Sequence, residues 1–219
     1  MPEGSSVDAV GAWERYATQT RPRRSMNAAG ARTWFNWTQH ADHGPNETVL
    51  GAVRGRAVLE LGSGSGANLA HLATLGAHCI GVDLAPSREN AARQKWGYLS
   101  NLDFRTADAV EFLDASSGSF DVVYSVFGAT WFCDPGKLFH IVHKRLARGS
   151  VFAFSHAAPG AVSPDRATVT AKALMRWDHP GGWWAQRLVE AGFGSVTHGI
   201  IPAPTPGTPG TLLVRAVAT

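Results

Sequence analysis

Three observations predict an α/β fold built on one mostly parallel sheet. Short apolar runs alternate with helix-spaced segments from residue 57 to 156, a glycine-rich turn joins the first such pair, and the last two runs are linked by a loop too short for a crossover helix. Regular alternation of this kind implies right-handed crossovers and helices on both faces of the sheet.

Residues 57–61, AVLEL, form an apolar run that carries Glu60 and suits a strand covered on both faces. Gly62, Gly64 and Gly66 follow at alternate positions, where the backbone can turn sharply and admit a ligand that any Cβ would block. Leu69, Leu72, Ala73 and Leu75 then share one helix face ending at Gly76, and residues 78–82 make a second buried strand closed by Asp83. A helix is expected over 86–96, with Pro86 in its first turn and Gly97 at its end. Residues 102–107 read as a third strand, followed by Asp108 and a short helix through Phe112 and Leu113. The fourth strand is 120–127, FDVVYSVF, after turn residues 116–119. Asp134 and Pro135 start a helix expected to reach Ala147, with Leu138, Ile141, Val142 and Leu146 inward and Gly149 closing it, and 150–156 is the fifth strand.

Beyond Ala157, turn residues dominate 157–180 around one expected helix at 166–176, which reads as an insertion over the sheet. A helix over 183–191, ending at Gly192, precedes strands at 195–201 and 212–217. Ahead of the core, 7–20, 26–40 and 46–53 read as helices. The whole of 1–219 is expected as a single domain, a helical region at 1–53 followed by a core at 54–219.

Composition narrows the function. The net charge of +3 is a thin excess, and Arg21, Arg23 and Arg24 are its tight cluster, so nucleic acid is a disfavoured partner. Cys79 and Cys133 lack metal-ligand spacing and are expected as reduced thiols, with no metal site. With neither a membrane-length apolar run nor a leader pattern, the expectation is a cytoplasmic protein without membrane contact; oligomeric state is not legible.

Asp83, about 20 residues beyond the first glycine, stands where an acid accepts hydrogen bonds from both hydroxyls of a ribose, so the turn and the acid together describe an adenosine site. Two cofactors share that geometry. A dinucleotide would seat its pyrophosphate on the helix amino end. Glu60, two residues before the first glycine, would repel that anion and suits the cationic amino-acid end of S-adenosylmethionine.

On the sequence from Glu60 to Asp83 the chain resembles the class I S-adenosylmethionine-dependent methyltransferases, in particular the small-molecule type 11 group. The resemblance implies a Rossmann-like three-layer sandwich with strand order 3-2-1-4-5-7-6, an antiparallel closing hairpin, and amino-terminal helices folded as a lid. It implies cofactor contacts from Glu60, Gly62, Ser63, Gly64, Gly66, Asp83 and Leu84, from Asp108 and Ala109 at the adenine, from Ser125 and Val126 at the fourth strand's end, and from Tyr16 over the top. The SVFGA sequence at that strand end lacks the Asn or Asp with Pro-Pro and an aromatic that relatives acting on nucleic-acid amines carry. A small organic acceptor methylated at oxygen or nitrogen is therefore expected, with cyclisation, decarboxylation or RNA modification as alternatives.

Phe127, Trp131, Trp34, Trp37 and His40 are candidate acceptor contacts, because they fall at the fourth strand's end or in the expected lid. His156, ending the fifth strand, is the candidate base for an acceptor that must lose a proton.

Overall fold

The computed structural model describes residues 6–19, 24–160 and 176–219. Arg21, Arg23 and all but the last residue of the expected helix at 166–176 lie outside those residues. The sheet has seven strands: β1 (Ala57–Leu61), β2 (His78–Asp83), β3 (Leu102–Thr106), β4 (Phe120–Val126), β5 (Leu146–Ala157), β6 (Phe193–Ile201) and β7 (Thr211–Ala218). Their order is 3-2-1-4-5-7-6, parallel from β3 to β5 and antiparallel where β7 joins β5 and β6.

Two apolar layers hold the helices on. One face of the sheet packs Phe152, Phe154, Val214 and Ala216 against α4 (Ala109–Ala115), α5 (Pro135–Arg145) and α6 (Gly181–Glu190), through Leu113, Phe139, Val142, Trp184 and Leu188. The other packs Val58, Val122, Tyr124 and Ala153 against α2 (Ala67–Thr74) and α3 (Pro86–Trp96), through Leu69, Leu72, Ala92 and Trp96. Each fully buried side chain of this size contributes about 1.5–3 kcal/mol. Asp121 aligns the two central strands, one carboxylate oxygen accepting from the Ala57 N–H at 2.9 Å and the other from Arg56 at 3.0 Å.

The remaining helix, α1 (Ser6–Gln19), matches the expected 7–20. The expected helix at 26–40 is absent; this stretch is an irregular strap. Short polar side chains take the bonds a helix would need. Asn36 donates to the carbonyls of Thr38 and His40, and the Thr38 hydroxyl lies 2.8 and 3.0 Å from the carbonyls of His40 and His43. Between them Phe35 and Trp37 drive inward onto Tyr124. Likewise 46–53 forms one 3-10 turn, Glu47–Leu50, capped by Asn46 and stopped at Gly51. Residues 146 and 147 are strand rather than helix. Leu146 pairs with Phe120, the register then slips so that Val151 opposes Val122, and Gly149 sits in the slipped stretch.

Trp37 is fully buried, donates its indole N–H to the Asn46 carbonyl at 3.0 Å, and offers its own carbonyl to Ser155 at 2.6 Å. Replacing Trp37 by alanine is expected to destabilise the protein by about 3–5 kcal/mol in urea unfolding, whereas Tyr98→Ala, at an exposed ring, should change it by less than about 0.5 kcal/mol.

Candidate active site

The carboxyl ends of β1 and β4 come together backbone to backbone. A Cβ on Gly62 would lie 2.6 Å from the Ala129 nitrogen and 2.7 Å from Gly128 Cα, and one on Gly128 would lie 2.4 Å from the Leu61 oxygen. Ser125 staples the contact: its hydroxyl donates to the Leu61 carbonyl at 2.7 Å and accepts from the Thr130 N–H. Gly62 and Ser63 both donate to the Val82 carbonyl, at 2.8 and 3.0 Å, so the turn is also tied to β2. Gly64, at φ +53, differs: nothing lies within 4 Å of the Cβ it lacks. The space above it belongs to a cavity of about 410 Å³ along the carboxyl edge of the sheet, within the usual range for a small-molecule site.

Asp83 faces that cavity with both oxygens anchored, one accepting from the Gly64 N–H at 2.8 Å and the other from the Ala85 N–H at 3.0 Å. Burial pushes its carboxyl up from the ordinary value, against those two hydrogen bonds and the neighbouring Arg88 charge, and with a smaller push from Glu14. Glu60 is buried beneath the same cavity. Asp108 caps α4, one oxygen accepting from the Val110 and Glu111 N–H groups at 2.8 and 3.1 Å, while Asp108 and Ala109 also line the wall. Three acids against Arg88 make a cavity suited to a cation.

Aromatic side chains complete the enclosure. Trp13 and Tyr16 reach over from α1, and Phe132 and Cys133 follow β4. Trp13 meets Phe132 edge to face, centroids 4.7 Å apart. Phe127 lines the wall with φ +49, unusual for a bulky residue, and is held there by its N–H bond to the Ser155 carbonyl at 2.8 Å. The Cys133 thiol is pushed up to about 12 by burial and by Asp108 and Asp134, so it stays protonated.

Of the residues singled out from sequence, Tyr16, Glu60, Gly62, Ser63, Gly64, Asp83, Leu84, Asp108, Ala109, Val126 and Phe127 line this one cavity. Others do not. Gly66 lies outside its wall and packs against the Phe104 ring, which a Cβ there would strike. Ser125 is committed to the staple beneath the floor. Trp131 stands one layer behind Phe127, at 6.0 Å, and stacks on His156 at 5.3 Å. His156 is fully buried among Trp131, Phe154 and Trp184. One of its ring nitrogens meets the Ala157 carbonyl at 2.9 Å, and burial holds the imidazole below its ordinary value and neutral. Trp37 and the nearly buried Trp34 belong to the packed strap rather than to the wall. His40 meets the Pro209 carbonyl at 3.0 Å, tying the strap to the β6–β7 loop. Arg24, of the arginine cluster, pairs with Asp42 at 2.6 Å.

Sequence reasoning missed Arg88, Gly128, Phe132 and Cys133, which with Trp13 line the cavity. Trp13 lies one helical turn before Tyr16 on the same face of α1; Phe132 and Cys133 follow a 3-10 turn (Ala129–Trp131) that no residue pattern announces.

The arrangement has relatives. A family model described as a methyltransferase domain matches residues 59–154, the stretch holding the glycine turn, Asp83, Asp108 and the end of β4. Residues 59–154 carry a methyltransferase domain, and the chain is an enzyme with the methyltransferase fold. Among solved structures, an S-adenosylmethionine-dependent methyltransferase from Mesorhizobium loti is 25% identical with a TM-score of 0.63, over 78% of this chain and 94% of that one. The Burkholderia thailandensis 1,6-didemethyltoxoflavin-N1-methyltransferase, solved with its acceptor and S-adenosylhomocysteine, is 24% identical at TM-score 0.60, over 76% and 72%. Magnesium protoporphyrin IX methyltransferase from Synechocystis, solved with S-adenosylhomocysteine, shares the fold at 19% identity and TM-score 0.58, over 76% and 75%. A comparison with curated proteins found no match. Among the described residues, no helix of this methyltransferase is long and apolar enough to cross a membrane, and no cluster of His, Cys, Asp or Glu could hold a metal ion.

The lining suits such a cofactor in its chemistry: open space above Gly64, an anchored carboxylate at Asp83 and a buried carboxylate at Glu60 share one cavity. Gly64→Ala is expected to leave a folded protein that has lost S-adenosylhomocysteine binding by calorimetry, because its methyl enters the cavity. Gly62→Ala should instead yield little folded protein, because its methyl strikes backbone. A ribose bonded to Asp83 would favour its charged form, so binding would lower a carboxyl that burial has raised. Affinity for S-adenosylhomocysteine should accordingly be full above the raised Asp83 value and fall as pH drops through it, and Asp83→Asn should bind weakly with that acid limb flattened.

Proposed function

We propose that this enzyme transfers a methyl group from S-adenosylmethionine to an oxygen or nitrogen of a small, flat aromatic acceptor, in a biosynthetic role. The observation that carries the reading is the division of the cavity wall. Glu60, Asp83 and Asp108 gather on the β1–β3 side, while Trp13, Tyr16, Phe127 and Phe132 enclose the rest.

When bound, S-adenosylmethionine supplies an electrophilic methyl on a positively charged sulfur. Glu60 would hold the ammonium group, Asp83 the two ribose hydroxyls, and Asp108 with the Ala109 N–H the adenine edge. Phe127, Gly128 and Ala129 at the end of β4 line the cavity beyond those acids. The rings keep water out and favour a cation beside them, so the acceptor is held in line with the methyl in a dry site. Such positioning can supply about 7–11 kcal/mol of the barrier. Trp131 meets the Phe127 ring edge to face and His156 stacks behind Trp131, so the buried His156 is not placed to take the acceptor's proton.

The test is methyl transfer from labelled S-adenosylmethionine to paired probes, hydroxyquinoline against aliphatic amino alcohols and against tRNA, with mass spectrometry of products. Gain of one methyl on the aromatic probe is expected, and Phe127→Ala or Phe132→Ala should raise its KM by about tenfold while S-adenosylhomocysteine affinity changes little. Methylation of tRNA or of the aliphatic probes alone would defeat the reading.

A further inference from the structure

We propose that Glu14 is a positioning residue that latches α1 across the cofactor cavity by capping α3 from outside that helix. The amino end of α3 lacks a cap of its own: its N-cap residue is Ala85, which has no side chain able to accept a hydrogen bond. The first-turn N–H of Ser87 is instead taken by the Glu14 carboxylate at 2.9 Å, from a residue 73 positions earlier. An acid at that place also meets the positive end of the helix dipole. Hydrogen bonds from Ser87, backbone first, hold the Glu14 carboxyl below its ordinary value.

The neighbouring residue reaches the other rim. Trp13 packs edge to face on Phe132 after β4, while Tyr16, one turn on, lines the cavity between. Adjacent residues of one helix thus hold opposite rims of the cleft, at the start of α3 beside Asp83 and at the turn beyond β4. A cofactor seated below lies under α1, and lifting α1 uncaps α3. The inference rests on the cofactor reading of the cavity and adds to it a residue that governs how long the cofactor stays.

Dissociation of S-adenosylhomocysteine from the full chain, followed by stopped-flow displacement, is the measurement. Glu14→Ala should dissociate about tenfold faster than wild type. Glu14→Gln, which keeps an acceptor oxygen at the same reach, should stay within about threefold of it. Glu89→Ala is the control for general loosening of α3, since Glu89 bonds Arg93 and Thr106 and leaves Ser87 capped; its dissociation rate should match wild type. An unchanged rate in Glu14→Ala with binding intact, or equal acceleration in Glu89→Ala, overturns the latch alone. No binding of S-adenosylhomocysteine to wild type overturns the cavity reading and the latch together.

Discussion

The contact between the backbones that leave β1 and β4 is the constraint on which the rest of the site depends. Gly62 and Gly128 approach so closely that neither tolerates a Cβ, and Ser125 bonds the two turns together from below. With the central strands pinned at their carboxyl ends, the turn through Gly64 is forced up and outward, and Asp83 from the adjacent strand can reach the Gly64 N–H. A floor made of main chain is rigid and lies close to the ligand, which a floor made of side chains would not be.

Charge and aromatic surface are then dealt to different regions. The acids come from the ends of β1 and β2 and the start of α4, positions set by the parallel sheet itself. The rings come from α1 and from the turn after β4, which are additions to that sheet. This separation explains how a common cofactor platform can serve an individual acceptor: the strands present the acids at fixed spacing, and the appended segments shape the remainder. It also explains the burial of His156. β5 delivers it to the face shared with α5 and α6, where Trp131 and Trp184 enclose it, and a neutral imidazole is the form that burial favours there.

The strap at 26–40 shows where residue patterns mislead. Its apolar residues, Trp34, Phe35 and Trp37, fall at spacings that a helix could also use, and only the local bonds of Asn36 and Thr38 with the docking of Trp37 onto the sheet decide against one. Leu146 makes the same point at a boundary: its apolar side chain satisfies the inner face of a helix as well as a strand, and pairing with Phe120 settles it.

What the sequence by itself determined was the cofactor platform. The glycine spacing, Glu60, Asp83, the order of alternating elements and the closing hairpin all follow from local rules, because turn geometry, strand burial and helix periodicity act over a few residues at a time. Tertiary structure alone decided that Phe132 joins Tyr16 and Phe127 at the cavity while Trp34 and Trp37 do not, that His156 stands behind Trp131, and that Glu14 serves a helix far along the chain. Those outcomes depend on contacts between segments distant in sequence, and no short-range pattern encodes which side of a packed layer a ring will occupy.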